Sequence, residues 1–168
     1  MKRTISVLVE NKAGVLSRVS GLFARRGFNI NSLAVGETED PAISRMTIVS
    51  DGDDHTIEQV EKQLNKMIDT LKIKRLEDSA ATRRELILIK VGAGLHQRGE
   101  VTDIARVFDA KIVDISTTTL TVEHSDRPER IDLLVDLLTP YKIKEVARTG
   151  TVALEKGAGT IGYKPKKD

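Results

Sequence analysis

Asn11-Lys12-Ala13-Gly14 stands between a run of β-forming residues and a run with helical apolar spacing. That position gives it chemistry without any reactive side chain. A turn ending at Gly14 leaves the first amides of the following helix without partners, and these amides, with the positive end of the helix dipole, stabilise a carboxylate. Gly14 also permits close backbone approach. Asn11 and, further on, Asn29 carry amides that both donate and accept, which suits the polar end of a zwitterion. Val15, Leu16, Ile30 and Leu33 are the nearby aliphatics able to enclose a small branched side chain, although most of them must also serve a core. A free aliphatic amino acid is the ligand that would use all three resources. Taken singly, Asn11 and Gly14 read first as turn formers, and Asn29 reads equally well as a partner for backbone.

Other chemistries find little support. The chain has no cysteine, so disulfides, thiolate zinc sites and thiol nucleophiles are excluded. Ser17 lacks the Gly-x-Ser-x-Gly setting of a nucleophile elbow. Gly92-Ala93-Gly94 opens a dinucleotide-type pattern, but Gln97 takes the place of the third glycine. Asp51, Asp53 and Asp54 lack the glycine and distal glutamate of a calcium loop. Arg26-Gly27-Phe28 begins like an RNA-recognition motif, but Asn29, Ile30 and Leu33 break the match. His55, His96 and His124 are too far apart for a metal site and are expected at the surface. Lys and Arg number 27 against 25 Asp and Glu, and aromatics make up 3% of the chain, so nucleic acid is not the expected partner. The longest apolar runs, such as Leu86–Ile89, are about four residues against the roughly 20 of a membrane helix. The apolar stretch Ile5–Val9 contains Ser6 and ends at Glu10, unlike a secretory signal, so no membrane partner and a cytoplasmic location are expected.

The elements that would position these residues occur twice, about eighty residues apart. The first copy reads as a strand over Thr4–Glu10, a helix carrying Val15, Leu16, Val19, Leu22 and Phe23 and stopped by Gly27, and strands over Phe28–Val35 and Ile43–Val49. A second helix follows, with Thr56 and Gln59 as a capping box and Ile57, Val60, Leu64, Met67 and Ile68 as its apolar face. Leu71–Leu76 closes the unit as a strand. After a polar connector, Glu77–Arg84, the second copy has a strand over Glu85–Val91, a helix from Glu100 to Asp109 that buries Val101, Ile104, Ala105 and Phe108, and strands over Lys111–Thr117 and Leu120–Glu123. A helix opened by Pro128 and a strand over Lys142–Ala147 complete it, and Thr151–Leu154 extends the sheet. The expected fold is α+β, two tandem ferredoxin-like βαββαβ sandwiches, with domains at 1–78 and 79–157 and a disordered basic tail over 158–168. One face of each sheet carries no helix, which predicts homodimerisation through the sheets.

The segment from Val9 through Gly14 to Val19, followed by Phe23-Ala24-Arg25-Arg26-Gly27-Phe28-Asn29-Ile30-Asn31-Ser32-Leu33, resembles the opening of an ACT domain, a small amino-acid sensor. Asp40-Pro41 with Ser44-Arg45-Met46-Thr47-Ile48 narrows the resemblance to the small regulatory subunits of acetolactate synthase. In the second copy Arg84-Glu85-Leu86, Ala110-Lys111-Ile112-Val113-Asp114 and Glu145-Val146-Ala147-Arg148-Thr149-Gly150 point the same way. Two segments depart from that pattern: Glu123-His124-Ser125-Asp126-Arg127-Pro128, and the tail after Gly157 with its terminal Lys164-Pro165-Lys166-Lys167. The resemblance implies a chain without catalytic residues or cofactors of its own. It would activate a large catalytic subunit that carries thiamine diphosphate, Mg and FAD, and confer feedback inhibition by valine, or else by leucine or isoleucine. It further implies that Asn11, Lys12, Ala13, Gly14, Val15, Leu16, Asn29 and Ile30 face the ligand across a dimer interface. A free-standing ACT-type sensor acting on another enzyme or on transcription is the main alternative. A small acyl-phosphate hydrolase on the same fold finds no supporting constellation.

Overall fold

The computed structural model describes residues 2–163. The chain forms two compact units: one runs to Thr82 and takes the chain up again from Thr151, and the other is Arg83–Gly150. The expected boundary at 78–79 lies close to the first crossing; residues from Thr151 on group with the first unit, and Val152–Glu155 pair with the strand that begins at Ala81, as the expected extension of the sheet requires.

The first unit consists of β1 (Lys2–Glu10), α1 (Val15–Arg25), β2 (Ile30–Glu37), β3 (Ile43–Asp51), α2 (Asp54–Asn65) and β4 (Thr70–Leu76). Its antiparallel sheet has the order β2-β3-β1-β4. β1 and β3 lie at the centre and are the most buried strands, with Thr4 to Val9 of β1 all buried. Ile5, Val7 and Val9 pack with Met46 and Ile48 against the inward faces of the helices: Val15, Val19, Leu22 and Phe23 of α1, and Ile57, Val60 and Leu64 of α2. Helix α1 ends as its sequence predicts. Gly27 takes φ +69, its amide donates to the Ala24 carbonyl and the Phe28 amide to that of Phe23, and the two rings meet edge to face at 6.3 Å. Phe28 is therefore committed to the helix end, and β2 begins at Ile30 rather than at Phe28.

Two expectations for α2 need correction. The N-cap is Asp53, whose carboxylate accepts from the Thr56 amide at 2.8 Å, so Thr56 supplies a backbone donor and not the capping side chain. Ile68 is 93% exposed, because the helix has ended at Asn65 and the apolar periodicity no longer applies.

The second unit repeats the topology with the order β6-β7-β5-β8. Its elements are β5 (Ala81–Gly92), α3 (Arg98–Val107), β6 (Lys111–Ile115), β7 (Thr119–Asp126), α4 (Pro128–Leu138) and β8 (Ile143–Arg148); β5 starts within the first unit. The end of α3 copies that of α1 without a glycine: Asp109 takes φ 56, and the Ala110 amide donates to the Ala105 carbonyl at 2.8 Å. His124, expected at the surface, is 7% exposed. It lies edge to face with Phe108, and its Nε2 is 3.5 Å from an Asp126 carboxylate oxygen.

Burial raises the Asp126 carboxyl, but the Arg127 amide, the Arg130 guanidinium and His124 outweigh it and hold the group below its ordinary 3.8. A carboxyl depressed on folding contributes stability above its unfolded value and loses it as the pH falls through the folded one. Urea unfolding should therefore find Asp126→Asn less stable than the parent at neutral pH, with the gap closing as the solution is acidified below 3.8. A gap of constant size would remove Asp126 from the pH dependence.

The helix-free face of the first sheet is not open. By strand register it carries Thr4, Ser6, Leu8, Thr47 and Val49, all buried, with Ser32 of β2 and Lys74 and Leu76 of β4. Residues after Thr151, including β9 (Val152–Glu155), lie along it: Ala153 joins Leu76 and Ala81 in a small buried cluster, and Lys74 pairs with Glu155. The chain's own residues from Thr151 on therefore cover part of that face. Among the described residues no helix is long and apolar enough to cross a membrane.

Candidate amino-acid site

Helix α1 opens on Gly14 with φ +83, a left-handed conformation that side chains rarely adopt, and no side chain caps it. The Val15 amide reaches the Lys12 carbonyl only at 3.4 Å, and no backbone acceptor for the Leu16 and Ser17 amides is found among the described residues. The first turn thus presents donors where a carboxylate gains both hydrogen bonds and the helix dipole. At α2 the same place is filled by Asp53.

The Asn11 side chain is partly committed. Its Nδ2 donates to the Pro41 carbonyl at 2.8 Å and to Glu37 Oε1 at 3.1 Å, and its backbone amide donates to the Ala42 carbonyl. Its remaining group is the acceptor Oδ1, which fits a ligand ammonium rather than a carboxylate. Lys12 is exposed and its ammonium is 2.6 Å from Glu10, whose carboxylate raises its pKa by hydrogen bonding and by charge. Ala13 is exposed. Val15 belongs to the core, so the open aliphatic at the start of α1 is Leu16, 45% exposed; Ile30 and Leu33 are half-buried against the same core. Asn29 is exposed, and its carbonyl accepts from the wholly buried Ser50 hydroxyl at 2.6 Å, which fixes the backbone entering β2.

Sequence reasoning missed three contributors. Arg18 lies one turn into α1; its Nη1 is 3.0 Å from where a β-carbon on Gly14 would stand, and its Nε donates to Asp69 at 2.8 Å. Asp69, 51 positions away, is 8% exposed and lies just before β4. Ser50 reads in the sequence as one small residue among several in a strand. The helical spacing of Gly14 and Arg18 was a usable signal; the other two depend on the folded sheet.

A βαββαβ unit with these features at its first turn is an ACT domain, and residues 5–72 match the family model described as the AHAS small subunit-like ACT domain. Residues 84–157 match the model described as the small subunit of acetolactate synthase. The chain is 52% identical over 157 residues to the probable acetolactate synthase small subunit of Archaeoglobus fulgidus, covering 94% of this chain and 98% of that one. It is 50% identical to the acetolactate synthase small subunit of Mycolicibacterium smegmatis, covering 95% and 94%. The crystal structure of the Thermotoga maritima small subunit superposes with a TM-score of 0.88 at 37% identity, over 95% of this chain and 99% of that one. The chain belongs to the family of acetolactate synthase small subunits.

Proposed function

We propose that this chain is the regulatory subunit through which a branched-chain amino acid, valine before leucine or isoleucine, restrains an acetolactate synthase that the chain otherwise activates. The observation that carries the reading is the uncapped first turn of α1, with Gly14 at φ +83, in a member of a small-subunit family. The valine carboxylate takes the amides of that turn, its ammonium takes Asn11 Oδ1, and its isopropyl group lies against Leu16; Ile30, level with Arg3 at the far end of β1 from Asn11, meets the ligand only from the second copy. Two copies associate so that each cleft is completed by the other chain. The large catalytic subunit supplies thiamine diphosphate, Mg and FAD, and the complex works in the cytoplasm. Valine acts by binding the less active arrangement more tightly, a coupling typically of ~1–3 kcal/mol.

Calorimetry of the isolated protein with valine, leucine and isoleucine tests the reading. Valine should bind most tightly, by no more than about one methylene's worth, ~1–3 kcal/mol, over the other two. Heat from none of the three would dismiss it. Co-purification of a large catalytic subunit separates this role from that of a free-standing sensor.

A further inference from the structure

Residues from Thr151 on are tied to the helix-free face of the first sheet and to the chain beside it. On β4, Lys74 donates to the Glu155 carboxylate and, at 3.3 Å, to the Thr160 carbonyl. Before β5, the Lys156 amide donates to the Ala80 carbonyl at 2.8 Å and its ammonium to that of Ser79 at 2.9 Å. On β2, the Ser32 hydroxyl accepts from the Thr151 amide at 2.7 Å. This last tie reaches the strand that carries Asn29 and Ile30.

It reaches that strand at a particular place. The pairing of β2 with β3 shifts register between Ile30 and Ser32, so the end of the strand bearing Asn29 and Ile30 lies on one side of an irregularity. Ser32, opposite the buried Val49, is the first paired residue on the other side. A bulge interrupts the ladder, so the strand end bearing Asn29 and Ile30 is held to β3 apart from the strand beyond, through the Ser50 hydroxyl on the Asn29 carbonyl and the Asn31 side-chain amide on Asp51. A ligand drawing on Asn29 and Ile30 therefore acts first on the bulge. Ser32 is where that action passes to the opposite face of the sheet.

We propose that the Ser32–Thr151 hydrogen bond is a relay: a ligand held against Asn29 and Ile30 sets how firmly residues 151–155 are held on the sheet. The relay rests on the reading that the cleft binds valine. It makes Ser32 a positioning residue that touches no ligand and yet governs the response to one.

Hydrogen exchange of the full-length chain, with and without saturating valine, reads the relay. In the parent, valine should slow exchange of the amides of residues 151–153 by about fivefold, the weight of one ordinary hydrogen bond. In Ser32→Ala these amides should exchange faster before valine is added and stay unchanged after it, while valine affinity by calorimetry moves by less than about threefold, because the amides of α1 are untouched. Ser32→Thr, which keeps the hydroxyl, should behave as the parent. In the complex with the large subunit, Ser32→Ala should bind valine and lose most of the inhibition. Valine bound by the parent with no change at residues 151–153, or Ser32→Ala responding as the parent does, overturns the relay alone. No valine bound by the parent overturns the relay and the site together.

Discussion

Gly14→Asp should abolish valine inhibition while leaving activation of the catalytic subunit largely in place. Three effects combine at this position. The backbone sits at φ +83, where any side chain is strained, at a cost of about 1 kcal/mol. The new β-carbon would meet Arg18 Nη1 at 3.0 Å, but that atom is the end of a flexible side chain and can give way. The decisive effect is charge: a carboxylate is placed beside the amides that would receive the ligand's own, and two such charges about 4 Å apart oppose each other by ~4 kcal/mol at the dielectric of a protein surface. Valine affinity should fall at least about thirtyfold, or ~2 kcal/mol, even after solvent screening. Gly14→Ala carries the same strain without the charge and should fall much less. Calorimetry on both variants, with inhibition assays in the complex, makes the comparison. Equal losses in the two would mean that backbone conformation matters at Gly14 and charge does not; a fully valine-sensitive Gly14→Asp would place the site elsewhere.

Legibility followed sequence distance. Gly14 and Gly27 were readable because a left-handed residue beside a helix is a local requirement that glycine meets best, and the apolar spacing of Val15, Val19, Leu22 and Phe23 announced the face they bury. Repetition of the same element order in both halves gave the topology, and the sheets follow it strand for strand. The cap of α2 is local and still ambiguous in sequence, because Asp53 and Thr56 both carry capping chemistry three residues apart, and only the folded backbone decides between them. His124 was misplaced because a histidine in an alternating strand points inward or outward according to register, and β7 runs on to Asp126. Asn11 is a candidate on its residue type alone, but the commitment of its Nδ2 to Glu37 and Pro41 depends on a hairpin some thirty positions away. The tie between Ser32 and Thr151 spans 119 positions and leaves no local trace.

The pair formed by Arg18 and Asp69 is the other place where one substitution should have a large effect, and there stability and binding can be separated. Asp69 is nearly buried and its carbonyl also receives the Glu10 amide, so its carboxylate joins α1 to the strands at the sheet's centre and edge. Removing the cation from a buried pair usually costs 3–5 kcal/mol, but Arg18 is half exposed and solvent screens what remains, so Arg18→Ala should destabilise the first unit by about 2 kcal/mol. Asp69→Asn leaves a neutral group of the same shape and should cost about 1 kcal/mol. The double variant should be more stable than the sum of the two predicts, by ~1 kcal/mol, since residues in contact do not act additively. Valine affinity divides differently. The Arg18 guanidinium lies over the Gly14 turn and adds positive potential where the proposed site would receive the ligand carboxylate, so Arg18→Ala should weaken binding by about tenfold. Asp69→Asn keeps that cation and frees it from a competing carboxylate, so affinity should hold or rise. Urea unfolding supplies the stabilities and calorimetry the affinities. Affinity losses that merely track the stability losses across all three variants would reduce Arg18 to a strut.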